Sequence, residues 1–340
     1  MQLSELNQIG KREALADYIT NIEAEATPVA SMIPKGKRPN QGLVQFQVEK
    51  YREAGHKGVP EGQDAADFTS TPRALLFARR MRLWDLPSVT TESDENVIAG
   101  EPAGEMARQK RNSLVTLKRS LEKRLMCAYD GNIQSAGVGA AFRGLFKWQS
   151  SSNWTDLPAT DTSVLMPAAS KYSGAITAFT ETALKAILAS IYKVRKTKSS
   201  LDGFFGIGLK EAVSMFAAYT NDVSNMTATR HLNLDQADKE LITIVDRIVT
   251  DTAEINLHPH SFILTDDEDG LATDGSDYSG LILDMEMLEL AYTKLPRIRD
   301  LEDRGGGPRA ISEMMVSLVN KNPQGHGVIL AGASGAPTLP

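Results

Sequence analysis

The sequence predicts an α+β protein with an N-terminal arm, an extended β-ribbon loop, a long helix and a mixed α/β region closed by two strands. Three observations carry that reading. Apolar and polar residues alternate over Val44–Glu49 within Leu43–Tyr51, and a second extended stretch, Arg73–Leu86, follows a long polar loop. Leu114, Leu117, Leu121 and Leu125 then recur at spacings of three and four. Beyond Thr180, helical and strand patterns alternate.

The arm comes first. KREALADYITNIEA carries Leu15, Tyr18, Ile19 and Ile22 at helical spacing, so a short amphipathic helix is expected over 11–24. Thr27-Pro28 then turns the chain extended, and Pro34, Gly36 and Pro39 keep it irregular. Val29, Met32 and Ile33 are expected to need a partner surface from outside the subunit.

The ribbon follows. Val44, Phe46 and Val48 alternate with Gln45, Gln47 and Glu49, and LVQFQVEKY is read as a strand. RALLFARRMRLWDL is its partner across the polar, Gly-rich segment Arg52–Pro72. A structureless loop of about 20 residues is uncommon inside a domain and is usually functional. A nine-residue strand reaches roughly 30 Å, and a bare two-stranded ribbon is marginal alone. The ribbon is therefore expected to lie on another surface.

Pro102 opens a helix reaching to Tyr129, about 40 Å at 1.5 Å per residue. Lys110, Arg111, Lys118, Arg119, Lys123 and Arg124 occupy its other faces. From Gly131 to Ser173 a long Gly, Ser, Ala and Thr-rich connection crossed by short elements is expected, with FRGLFKW inside it. TETALKAILASIYKVRK is a helix, GFFGIG a buried strand, and LKEAVSMFAAY a second helix. ELITIVDRIVTDTAEINLHPHSFILTD gives two or three strands with a turn at Asp251, and GLILDMEMLELAYT is strand-like. PRAISEMMVSLVNKNPQGHGVILAG supplies a closing strand pair around a turn at Asn320–Gly325.

Composition narrows the function. At 340 residues, with 41% hydrophobic and 24% charged, the chain can bury one large core or two modest ones. Lys+Arg total 37 against Asp+Glu 43, and a formal charge of -6 excludes a chain-wide nucleic-acid footprint. Cys127 is the single cysteine; an inert, buried thiol is expected. No signal core opens the sequence and no run of about 18 apolar residues occurs, so a cytosol-like site of synthesis and no membrane partner are expected.

Motifs for chemistry are lacking. There is no Walker loop, GFFGIG has the wrong glycine register for a dinucleotide, and AGASGA lacks nucleophile-elbow spacing. His258 and His260, ahead of Asp266, Asp267 and Asp269, are read as a polar strand end rather than a metal site. TDDEDG lacks the first and closing acids of a calcium loop. No catalytic residue, cofactor or metal is assigned, and the protein is read as a non-enzyme. Arg79, Arg80 and Arg82 form a basic cluster expected to oppose Glu49 and Glu53. Contact with nucleic acid is one use for it; ion pairing with an acidic surface of a neighbouring subunit is preferred. Lys50 and Lys57 lack any context that would activate a cross-linking lysine.

The order of parts resembles the tailed-phage major capsid proteins of the Hong Kong 97-type fold, over about Leu15–Leu330. ADYITNIEAEATPVASMIPKGK looks like the family arm; LVQFQVEKY and RALLFARRMRLW look like the extended loop, with VPEGQDA near its tip. AGEMARQKRNSLVTLKRSLEKRLM looks like the spine helix, and ISEMMVSLVNKNPQGHGVILAG is similar to the family ending. The resemblance implies an N-terminal arm over 1–40, an extended loop over 41–90 and a peripheral domain with spine helix over 91–172. An axial domain over 173–293, peripheral return strands over 294–332 and a tail over 333–340 complete it.

It further implies a subunit that self-assembles as pentamers and hexamers into an icosahedral head enclosing double-stranded DNA, built in the host cytoplasm and kept in the virion. A separate scaffold or none, a portal, a decoration protein and non-specifically contacted DNA are the implied partners. Implied inter-subunit contacts are Pro28, Met32, Ile33, Val44, Phe46, Val48, Tyr51, Arg79, Arg80, Arg82 and Trp84. Gly55, Gly58, Gly62, Gly131, Gly137 and Gly139 are where one sequence is expected to flex between unequal positions. A non-viral shell of the same fold, or a soluble α/β enzyme or binder, are the alternatives.

Overall fold

A computed structural model describes residues 27–49, 51–52, 54–64, 70–71, 73–90, 104–149, 166–218, 245–264, 277–302 and 304–337. Four helices are labelled here: α1 (Pro28–Met32), α2 (Glu105–Leu125), α3 (Glu181–Arg195) and α4 (Ile207–Ala218). The strands are β1 (Leu43–Glu49), β2 (Arg73–Arg79), β3 (Met81–Asp85), β4 (Lys171–Ala175), β5 (Ser199–Phe205), β6 (Arg247–Val249), β7 (Ala253–Pro259), β8 (Gly280–Leu283), β9 (Leu288–Leu301), β10 (Arg309–Asn320) and β11 (Gly327–Gly332).

The strands form a two-stranded sheet β1-β2, a three-stranded sheet β3-β10-β9 and a six-stranded sheet β4-β11-β8-β5-β7-β6. By contact density the chain divides into two units. One gathers Leu83–Arg119 and Pro296–Met314; the other gathers Thr27–Arg82, Ser120–Leu295 and Met315–Pro340.

The second unit holds the larger core. In the six-stranded sheet β5 runs parallel to β7 and antiparallel to β8, and β11 runs parallel to β4. Alternation sends Leu201 and Phe205 of β5, and Ile255 and Leu257 of β7, to one face. There they meet Leu184, Ile187, Leu188 and Ile191 of α3 and Leu209 and Val213 of α4. α3 starts where Thr180 accepts a hydrogen bond from the Ala183 backbone N–H, and ends at Lys196 in the left-handed region, φ 56. Its five expected core positions are buried except Val194, which is half-buried.

The FRGLFKW stretch lies in a connection crossed by a short 3-10 helix, Lys147–Gln149, and its apolar residues enter the core. Phe142, Leu145, Phe146 and Trp148 are all buried, and Arg143 lies 5.0 Å from the Trp148 ring centre while bonding Asp130 at 2.7 Å. Gly144 is required there, because a Cβ would come within 2.1 Å of the Cys127 carbonyl oxygen. Cys127 itself is buried, as expected.

In the first unit, α2 contributes Met106 to a small cluster with Val89 and Ala310, against which Ile298 packs. Ser113 and Ser312 hydrogen-bond at 2.7 Å, and Arg297 and Arg299 both reach the buried Glu313. The helix has 21 residues, about 32 Å, and Leu117, Leu121 and Leu125 are buried.

Three expectations change. Pro28 does not extend the chain; it occupies the first turn of α1, where its missing N–H costs nothing. RALLFARRMRLWDL is two strands, not one: Arg80 breaks it, and β3 leaves β2 for the sheet of β10 and β9. The closing strands β10 and β11 do not pair; β11 sits between β4 and β8. The expected helix over 11–24 lies outside the described residues.

Candidate functional site

The ribbon is built by register. Leu43 faces Arg79, Phe46 faces Leu76 and Glu49 faces Arg73. Val44, Phe46 and Val48 are half-buried while Gln45, Gln47 and Glu49 are exposed, so the alternation produces the two faces it implies. Phe46 and Val48 pack on the buried Ala74 and Leu76. The same face borders an open space of about 590 Å³ whose far side is formed by Glu289, Ala291, Val319 and Lys321. The ribbon base thus rests over its own unit, while Tyr51 and Val59 towards the tip are 92% and 75% exposed.

The register also corrects the arginine cluster. Glu49 pairs with Arg73 at 3.3 Å, and Arg79 stands across from Leu43 at the other end of the ribbon. The cluster therefore does not oppose Glu49, and Glu53 lies outside the described residues. Arg79 and Arg80 are half-buried: Ser317 donates to the Arg79 carbonyl and Arg80 donates its backbone N–H to Gly42. Arg82 is exposed, and Trp84 is 58% exposed on the same face of β3.

The opening segment is not left waiting for a neighbour. Val29 and Ile33 are buried within the chain, Pro28 is half-buried, and Met32 is exposed at 37%. The backbone N–H groups of Val29 and Ala30 each donate to the Glu122 carboxylate at 2.8 Å. Farther along, Gly36 donates to the Leu290 carbonyl and Leu290 to the Pro34 carbonyl, both at 2.9 Å.

His258 and His260 diverge rather than converge. His258 stacks on Phe204 and its Nε2 is 3.3 Å from Asp202. His260 is buried with Nε2 2.8 Å from Glu122, and its Nδ1 accepts the Phe262 backbone N–H. Asp266, Asp267 and Asp269 lie outside the described residues. Among the described residues no three His, Cys, Asp or Glu side chains are grouped to hold a metal.

A second buried polar network was silent in the sequence. Arg195 reaches Asp284, and Asp284 donates its backbone N–H to Nδ1 of His326, whose Nε2 lies 3.1 Å from Asn320. Burial, then the nearby Arg195 cation, pushes His326 down to about 3, so the ring is neutral. Burial also raises Asp284, against the attraction of Arg195. Glu122 was missed too; it borders the leucine stripe between Leu121 and Leu125, and a wider stripe would have included it.

Known proteins match this architecture. The capsid of cyanophage P-SCSP1u aligns over 98% of this chain and 99% of its own, at 9% identity and TM-score 0.58. The capsid of a native GTA particle aligns over 98% and 100%, at 10% identity and TM-score 0.59. A structure from Mycobacterium phage Bobi aligns over 95% and 96%, at 8% identity and TM-score 0.56. At such identities the likeness establishes the fold alone: a mixed α+β architecture shared with these capsid structures over nearly the full length. A family model for the SU10 major capsid protein matches residues 2–334, and the chain belongs to that family. No curated protein matches it. The chain is thus a structural subunit of a phage head shell, and its place is the capsid of the virion.

Proposed function

We propose that copies of this chain assemble as pentamers and hexamers into an icosahedral head around double-stranded DNA. The observation that carries this is the ribbon: Tyr51 and Val59 towards its tip are 92% and 75% exposed. An isolated ribbon is marginal, and ordering such a segment is offset only when a neighbour covers it. Tyr51, Met32, Arg82 and Trp84 are the contacts we assign first. Val44, Phe46, Val48, Pro28, Arg79 and Arg80 contribute where their half-buried surfaces remain open. Ile33, already buried within the subunit, is left out of that set.

The subunit works mechanically: many weak, repeated contacts closed by symmetry make a container, and no catalytic step is involved. Arm 1–40, extended loop 41–90, peripheral domain 91–172 with 294–332, axial domain 173–293 and tail 333–340 are the working divisions. A separate scaffold, a portal and a decoration protein complete the head, DNA is touched non-specifically, and assembly takes place in the host cytoplasm. The test is expression of the full chain, alone and with a candidate scaffold protein, followed by negative-stain electron microscopy and size-exclusion chromatography. Closed shells or five- and six-fold capsomers are expected. A monodisperse monomer under both conditions at micromolar concentration would overturn the reading.

A further inference from the structure

Just past α2 the chain makes a short exposed hairpin. Asn132 and Ala141 exchange backbone hydrogen bonds at 3.0 and 3.2 Å, and Ser135 and Val138 exchange them at 3.1 and 3.2 Å. Gly137, at φ 83, permits the tight reversal between Ser135 and Val138. Every residue from Asn132 to Gly139 is exposed, Ile133 at 54% and Val138 at 48%. No charged residue occurs between Asp130 and Arg143, in a chain that is 24% charged.

The root of the hairpin is held firmly. Arg124 donates from Nε and Nη2 to the Phe142 carbonyl at 3.0 and 2.6 Å, and from Nη2 to the Asp130 carbonyl at 2.8 Å. The Asp130 carboxylate accepts the Gly131 backbone N–H at 2.8 Å and Arg143 Nε at 2.7 Å. Gly144 donates to the Tyr129 carbonyl, and Leu145 to the Leu125 carbonyl inside α2. Bonds to ionised groups are the strong ones, and a hairpin this short would be marginal without them. They aim it before any partner arrives, so docking has less ordering entropy to overcome.

We propose that hairpin 132–141 is an assembly contact that docks Ile133 and Val138 on a second copy of this chain. The chemistry selects that partner. Nucleic acid is held through cations, and the hairpin carries none. Copies of this chain each bear a formal charge of -6, so they repel, and a contact between them is least opposed where neither side brings charge. Interface centres are likewise depleted of charged residues. The contact is separate from the arm and the ribbon. It rests on the shell reading above but needs no particular capsomer symmetry.

The test uses the full chain. Ile133→Asp with Val138→Asp places charge on the hairpin. Because both side chains are exposed, the melting temperature of the unassembled subunit should stay within about 3 °C. The yield of capsomers or particles should fall about tenfold or more. Separately, Ser135→Cys is labelled with a benzophenone maleimide, the buried Cys127 remaining unmodified. Irradiation of assembled material, followed by mass spectrometry, should join the label to a peptide of a second copy, and dilute subunit should give no such product. An unchanged yield, a larger melting shift, or a label joined only to its own chain, to another protein or to nucleic acid would each overturn the proposal. If the unaltered chain gives neither capsomers nor particles, the pentamer and hexamer reading fails. The hairpin is then judged by the same cross-link at about 1 mM subunit, where absence of a two-copy product overturns it.

Discussion

The ribbon and the six-stranded sheet obey the same period-2 rule and end in opposite states. In the sheet, Leu201, Phe205, Ile255, Ile282 and Ile329 are 0% exposed, covered by α3 and α4. In the ribbon, Val44, Phe46 and Val48 stay half-buried, and Tyr51 beyond them is 92% exposed. The sheet finds its second layer within the chain; the ribbon finds only part of one. Burial stabilises at roughly 25 cal/mol per Å² of apolar surface, so the first region carries far more of the subunit's stability than the second.

That contrast can be broken most directly at Phe205. Phe205→Ala should cost about 3–5 kcal/mol in urea unfolding of the unassembled subunit. A loss below about 1 kcal/mol would mean the sheet is not the stabilising region.

The next test is acid. His326, held to about 3 by burial, refuses a proton that the unfolded chain takes up near the ordinary value of about 6.5. Its stabilising share is therefore complete above pH 6.5 and is lost as pH falls towards 3, by about 1.4 kcal/mol per pH unit. Unfolding measured from pH 7 to 4.5 should show that slope, flattened in His326→Gln. A slope unchanged by the substitution would remove His326 as its source.

In the ribbon the effects shrink. Arg73 and Glu49, with side chains 68% and 44% exposed, form a screened pair. Glu49→Gln should cost under about 1 kcal/mol, and less in 0.5 M salt. Smallest is Tyr51→Ala, expected to leave subunit stability within about 0.5 kcal/mol while lowering particle yield by electron microscopy. A destabilisation of 2 kcal/mol there would show that the ribbon tip is docked on its own subunit, and the contrast would fail.

Local pattern made much of this readable. Alternation over Leu43–Glu49, the leucine spacing of α2 and the apolar spacing of α3 are each decided within a few turns of chain, and each matched. The failures were decided at long range. Nothing near Gly327 says that β11 slots beside Lys171–Ala175 instead of folding back on β10. Arg80 ends β2 because its neighbours change partner sheet, which alternation cannot announce. Pro28 was read for the residue before it, when its more telling use was at the head of a helical turn. Glu122 and His260 are far apart in sequence and each looks ordinary alone; only the fold makes them one site.

The position of β11 also sets a schedule. Val328 pairs with Lys171 on one side and with Leu281 on the other, so β11 fills the interior of its sheet. A chain still emerging from the ribosome has β4 and β8 with bare facing edges until these late residues appear. Such distant pairings form slowly, because loop closure precedes any reward from contact. The main sheet is therefore closed only once the residues of β11 have been synthesised, well after those of β4 and β8.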